Sequence, residues 1–136
     1  IPGSPISGRG SEVSLTVTLA KSANGHFEVN GRVNDARVHC LGDTGASSVV
    51  ISKEDAERAG IDTPSLAYNV PINTANGRAT AASITIATLQ IGDIQRHNIR
   101  AMVTQEGLMT GSLLGMNFLQ TLGGFSVRGD QLIMMD

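Results

Sequence analysis

Leu41-Gly42-Asp43-Thr44-Gly45-Ala46-Ser47-Ser48-Val49-Val50 is the stretch on which the fold turns. A short apolar run, Val38-His39-Cys40-Leu41, leads into Asp43, and Val49-Val50-Ile51 comes after the turn. The pattern predicts two buried strands joined by a tight, glycine-containing turn that carries a carboxylate. A carboxylate placed there is costly unless it is paired or put to chemical use. Taken alone, Asp43-Thr44-Gly45 also reads as an Asx-type turn, in which the side chain accepts from nearby backbone N–H groups. The rest of the chain has to choose between these readings.

With 136 residues the chain is sized for one domain, burying roughly two-thirds of its unfolded surface. Aromatic residues are confined to Phe27, Phe118, Phe125 and Tyr68, so the core must be aliphatic. Sixteen glycines, with abundant Val, Ile and Thr, favour short strands and tight turns over a helical bundle. The net charge of −2 is scattered singly, with no basic stripe and no aromatic platform, which argues against a nucleic-acid partner. Cys40 is the only cysteine, which excludes an internal disulfide, leaves the redox compartment open and reads as a small buried hydrophobe. His26, His39 and His97 lack ligand-type spacing, so neither a metal nor another cofactor is expected. No apolar run approaches the ~18 residues that span a membrane. Ile1 to Gly10 reads as a linker or an added remnant, leaving one domain over residues 11–136.

Val13 to Leu19 alternates as a half-buried strand, and Asn24-Gly25 reads as a hairpin turn into His26–Val33, with Gly31 as a candidate bulge. Asn34-Asp35 marks a second turn into Ala36–Leu41, although Asn30-Gly31 competes for that role. Ser52 as N-cap, Asp55 three residues on and Gly60 as stop predict a helix of about two turns, with Glu54, Asp55 and Glu57 on its solvated face. Residues 61–70 read as irregular around Pro64. Residues 71–74 and 78–80 flank Ala75-Asn76-Gly77 as a hairpin whose second arm runs on toward Gly92-Asp93. A further strand spans Ile94 to Val103, and residues 104–111 form a polar loop. A short helix over Met116–Leu122 and a final hairpin about Arg128-Gly129-Asp130 complete a mostly-β chain.

Gly45-Ala46-Ser47-Ser48-Val49 does not match a nucleophile elbow, and no phosphate-binding or dinucleotide glycine pattern is present. The Asp43-Thr44-Gly45 loop instead resembles the active-site loop of the retropepsin-like aspartic proteases. Leu113-Leu114-Gly115 resembles their second signature, and the Asn76-Gly77 hairpin lies between the two, where that family places its flap. Thr74-Ala75-Asn76-Gly77 and Ser112 to Leu119 are similar to the bacterial DTGA-type branch. The likeness covers roughly residues 25 to 135.

The resemblance implies a single-lobe acid protease fold, a closed barrel-like lobe with one or two short helices, completed by dimerisation. One Asp-Thr-Gly per chain supplies half a site, so a homodimer would bring Asp43 from each chain together across a two-fold axis. It further implies an aspartic endopeptidase acting on protein or peptide substrates, with Asp43 catalytic and Thr44 in a hydrogen-bond network beneath it. Gly45 would allow close approach of substrate, and Ala46 and Ser47 would line the cleft. Leu113 and Leu114 would shape pockets and brace the Asp loop, Gly115 would permit close packing, and Thr74, Ala75, Asn76 and Gly77 would belong to the flap. Mixed small and aliphatic cleft residues suggest apolar side chains flanking the cut. Relatives of this branch are commonly membrane-anchored, which implies an envelope-facing or periplasmic site through an anchor absent from these residues.

Gly42 departs from the family pattern, which has a branched aliphatic before the Asp. It would loosen the loop, weaken activity or make room for a neighbour. The rival readings are a weakly active or inactive peptide-binding module and a precursor gated by dimerisation.

Overall fold

The computed structural model describes residues 15–23, 25–74, 77–109 and 111–136. Its elements run β1 (Thr16–Lys21), β2 (Phe27–Val33), β3 (Ala36–Gly42), β4 (Val49–Ile51) and helix α1 (Lys53–Arg58). A 3-10 turn (Thr63–Ser65), β5 (Val70–Thr74), β6 (Gly77–Ile91), β7 (Ile94–Thr104) and β8 (Ser112–Leu114) follow. Helix α2 (Met116–Leu119), β9 (Gly124–Arg128) and β10 (Gln131–Met135) end the chain. The strands pair in the order β9-β10-β1-β2-β3-β8-β4-β7-β6-β5, and β2 pairs in addition with β6. That extra pairing closes β2-β3-β8-β4-β7-β6 into a barrel, giving the mostly-β lobe with two short helices that the sequence leads one to expect.

Gly31 lies on the closing seam. It is not a bulge: the β2–β3 ladder runs unbroken from Phe27 opposite Gly42 to Val33 opposite Ala36. Gly31 also pairs with Ile91 across the closing seam, where an added Cβ would lie 2.6 Å from Ile91 Cδ1 and 3.0 Å from the Gln90 carbonyl. A residue without a side chain lets the two ladders meet there without displacing either neighbour. The β2–β3 turn falls at Asn34-Asp35, both left-handed at φ 49° and 70°, as a primed hairpin turn requires. Asn34 then stitches the seam further: its N–H donates to Thr88 O (2.9 Å), and its Oδ1 accepts from Thr88 N–H (3.1 Å). Gly25 has φ +86° in the preceding turn, whereas Val13 and Asn24 lie outside the described residues.

The core is aliphatic apart from Phe118, as composition predicts. Cys40 is buried in it, and its thiol is pushed up to about 12, first by burial and then by the nearby Asp55 charge. Gly42 is buried at the end of β3, and its missing side chain leaves space that Leu132 and Leu19 fill. An added Cβ would lie 2.9 Å from Leu132 Cδ2 and 3.4 Å from Leu19 Cδ2. Of the three consequences considered for this glycine, the structure bears out room for a neighbour.

Helix α1 has the expected cap, Ser52 Oγ accepting from Asp55 N–H (3.1 Å), and Gly60 stops it with φ +84°. Asp55 corrects the sequence reading of this helix. Instead of facing solvent it is buried, with Oδ2 accepting from Ser112 Oγ (2.8 Å) and Oδ1 from Arg58 Nη1 (2.8 Å). A buried carboxylate keeps its charge only when its oxygens are satisfied in this way. Helix α2 is also shorter than expected. After Leu119 the chain tightens to 3-10-type bonds, Thr121 N–H to Phe118 O and Leu122 N–H to Leu119 O, and does not extend the α-helix.

Candidate active site

The Asp43 turn leaves β3 at the mouth of the barrel, next to β8, which pairs in parallel with β3. Asp43 is half-buried, and its Oδ1 accepts from Gly45 N–H at 2.9 Å. That is the Asx turn of the plain reading, and it fixes the direction of the carboxylate. Ala46 N–H closes the turn onto Asp43 O (3.1 Å). An added Cβ at Gly45 would lie 3.2 Å from Asp43 Oδ1, crowding this contact.

Three further bonds fasten the loop to β8 and α2. Asp43 N–H donates to Leu114 O (3.1 Å), Met116 N–H to Ala46 O (2.7 Å) and Asn117 N–H to Ser47 O (3.1 Å). The first-turn N–H groups of a helix have no partners within it, and here the carbonyls of the Asp loop supply them. Gly115 makes this docking possible: an added Cβ would lie 2.7 Å from Ser48 N and nearer still to the Ser48 carbonyl. Asn117 completes the brace, its Oδ1 accepting from Val49 N–H (2.8 Å) and its Nδ2 donating to Arg100 O (2.7 Å). The sequence reading gave Asn117 no role. Its place two residues after Gly115, in the first turn of a short helix, was the available signal.

A groove of about 1070 Å³ opens in front of Asp43. Leu41, Leu113, Val50 and Met102 form one lateral row across it, because Leu41 is paired with Leu113, Leu113 with Val50 and Val50 with Met102. Their strand neighbours Cys40, Leu114, Ile51 and Val103 point the other way, into the core. Val70 to Thr74 of the β5–β6 hairpin bound the groove on one side, and the 107–109 loop bounds it on another.

The structure brings together Asp43, Gly45, Ala46, Ser47, Thr74 and Leu113 of the residues singled out from sequence. Leu114 is separated from them: its side chain is fully buried in the core, and it serves the site through its carbonyl. Thr44 is exposed on the turn, and Gly77, with φ +113°, stands outside the groove at the start of β6. Ala75 and Asn76 lie outside the described residues. Among the described residues, no cluster of three or more His, Cys, Asp or Glu side chains is placed to hold a metal ion.

Comparison with known proteins agrees with this geometry. Residues 29–121 match the family described as gag-polyprotein putative aspartyl protease. An uncharacterized protein from the cobV 5′ region of Sinorhizobium sp. is 43% identical over the whole chain, which covers 58% of that relative. An uncharacterized Rickettsia prowazekii protein is 38% identical over 87% of the chain and 50% of its own length. The chain thus spans about half the length of these curated relatives. Among solved structures, a retropepsin-like aspartic protease from Rickettsia conorii superposes with a TM-score of 0.81 at 36% identity, covering 90% of this chain and 92% of that one. The EIAV protease, complexed with an inhibitor, shares the fold at a TM-score of 0.61 and 20% identity, over 79% of this chain and 97% of its own.

Proposed function

The chain belongs to the retropepsin-like aspartic proteases, and from that premise we propose that it is a bacterial endopeptidase assembled as a homodimer, with Asp43 of each copy forming the catalytic pair. The observation that carries this reading is the Asp43 carboxylate, held by Gly45 N–H and set in a groove lined by Leu41, Leu113, Val50 and Met102. The bacterial sources of the relatives support the assignment. One Asp-Thr-Gly per chain supports the dimer, because peptide hydrolysis by carboxyls needs two of them.

Two carboxyls about 3 Å apart cannot both ionise, so such a pair shares one proton. The ionised group takes a proton from the attacking water, and the protonated group polarises the scissile carbonyl. A tetrahedral diol forms without an acyl-enzyme, then collapses as the amine takes a proton and leaves. Thr44, exposed on the single chain, would sit against its counterpart beneath the pair. The hairpin of β5 and β6 would act as a flap over a peptide held extended in the groove.

Cleavage of peptides at mildly acidic pH tests this directly. Asp43→Asn is expected to lower kcat by at least about 10²–10⁴-fold, and the specific activity of the unsubstituted protein is expected to rise with its concentration. Cleavage that survives Asp43→Asn would overturn the catalytic assignment. Activity independent of concentration in a protein that sediments as a monomer would overturn the dimer.

A further inference from the structure

Thr104 closes β7 on the cleft side. Side chains alternate along a strand, and Ala101 and Val103 are wholly buried in the core, so Met102 and Thr104 share the opposite face. Met102 belongs to the lateral row described above. Thr104 begins the next row toward the hairpin, opposite Ala81 on β6, which in turn faces Val70 on β5. Thr104, Met102 and Val70 all line the groove.

This position is chemically odd. Thr104 is 1% exposed, and its Oγ1 is the one buried side-chain nitrogen or oxygen among the described residues that has no hydrogen-bond partner. Burying a hydroxyl without a partner costs free energy that a valine at the same place would not. The neighbours that line the groove with it include Val50, Val70, Met102 and Leu108, which offer it no polar atom from their side chains. Two of these walls are movable, because a methionine has three rotatable side-chain bonds and Leu108 lies in a loop.

We propose that Thr104 is a specificity-determining residue, whose hydroxyl takes the hydrogen bond of an uncharged polar side chain, a carboxamide or a hydroxyl, on the peptide bound in the groove. This rests on the peptidase reading given above. A threonine hydroxyl both donates and accepts, so it satisfies either end of a carboxamide. A charged side chain does not fit, because among the groove-lining residues only Asp43 and His26 are titratable, and an ion left unpaired beside Val70 and Met102 is heavily disfavoured. The substrate class is thereby narrowed from peptides with apolar flanks alone to peptides that carry one neutral polar side chain among apolar ones.

The test is to cleave a randomised peptide library with the unsubstituted protein, Thr104→Val and Thr104→Ser, and to record a thermal melt of each. The expected profile favours Asn, Gln, Ser or Thr over Val and Leu at one subsite by about five- to tenfold, the ratio that a single neutral hydrogen bond supplies. Thr104→Val should lose that preference, and Thr104→Ser should keep it. The melting temperature of Thr104→Val should equal or exceed that of the unsubstituted protein. An unchanged profile in Thr104→Val overturns the proposal and leaves the peptidase reading intact. A lowered melting temperature overturns it as well, by showing that the hydroxyl serves the fold. If the unsubstituted protein cleaves nothing in the library, the peptidase reading fails and the proposal fails with it.

Discussion

Leu41, Leu113, Val50 and Met102 alternate along their strands with Cys40, Leu114, Ile51 and Val103, and the two sets do different work. The second set is buried in an aliphatic core and holds the barrel together. The first set is half-buried and paves the groove in front of Asp43. One residue along a strand therefore separates the core face from the groove face. The Asp loop joins the two faces, because its backbone is bonded to β8 and α2 while its carboxylate stands in the groove. Residues that make this junction should behave as core residues although they sit beside the site.

Gly115→Ala tests the junction most severely. The new methyl group would meet the Ser48 backbone, which cannot rotate aside, so a loss of about 3 kcal/mol or more is expected. A urea denaturation curve shifted by less than a third of that would mean the loop docks by some other route. Ile51→Ala and Val50→Ala come next, as neighbours on opposite faces of β4. Ile51 is fully buried, so its truncation should cost about 2–4 kcal/mol, against about 1 kcal/mol for Val50→Ala. Equal losses in the same denaturation experiment would break the comparison between the faces. Asn117→Ala is milder than Gly115→Ala and Ile51→Ala. It leaves Val49 N–H and Arg100 O without their partners, at an expected cost of about 1–2 kcal/mol. Hydrogen exchange sharpens the point, because Val49 N–H should lose protection in this variant while amides in the β9–β10 hairpin keep theirs.

Features governed by local chemistry were legible in the sequence. The cap at Ser52, the stop at Gly60, the turn at Asn34-Asp35 and the last hairpin all rest on what a few adjacent residues can do with their own backbone. The candidate site was legible in part, since Asp43 and Leu113 could be singled out from motif order and the structure sets both at one groove. Leu114 was grouped with Leu113 at the substrate by the resemblance, and two adjacent apolar residues carry no alternation to say which one faces inward. Asp55 was assigned to solvent because its partner, Ser112, is 57 positions away. Gly31 resembled a bulge, since a glycine in a strand signals either a bulge or a close approach, and only the Ile91 side chain across the seam distinguishes them.

By itself the sequence determined the strand-rich composition, the hairpins, the capped helix and the turn that presents Asp43, because each is a matter of short-range backbone preference and of apolar periodicity. Tertiary structure alone decided which side of β3, β4 and β8 looks into the groove, which glycines are contacts, and why Asp55 and Thr104 are buried. β4 and the Leu113-Leu114 pair are apolar on both faces, so nothing within them says which face is which, and in β3 the alternation of Arg37 and His39 with Val38 and Cys40 marks a core face without marking a groove. Pairing with β7 and closure of the barrel between Gly31 and Ile91 set that direction, and with it the surface on which a substrate would be read.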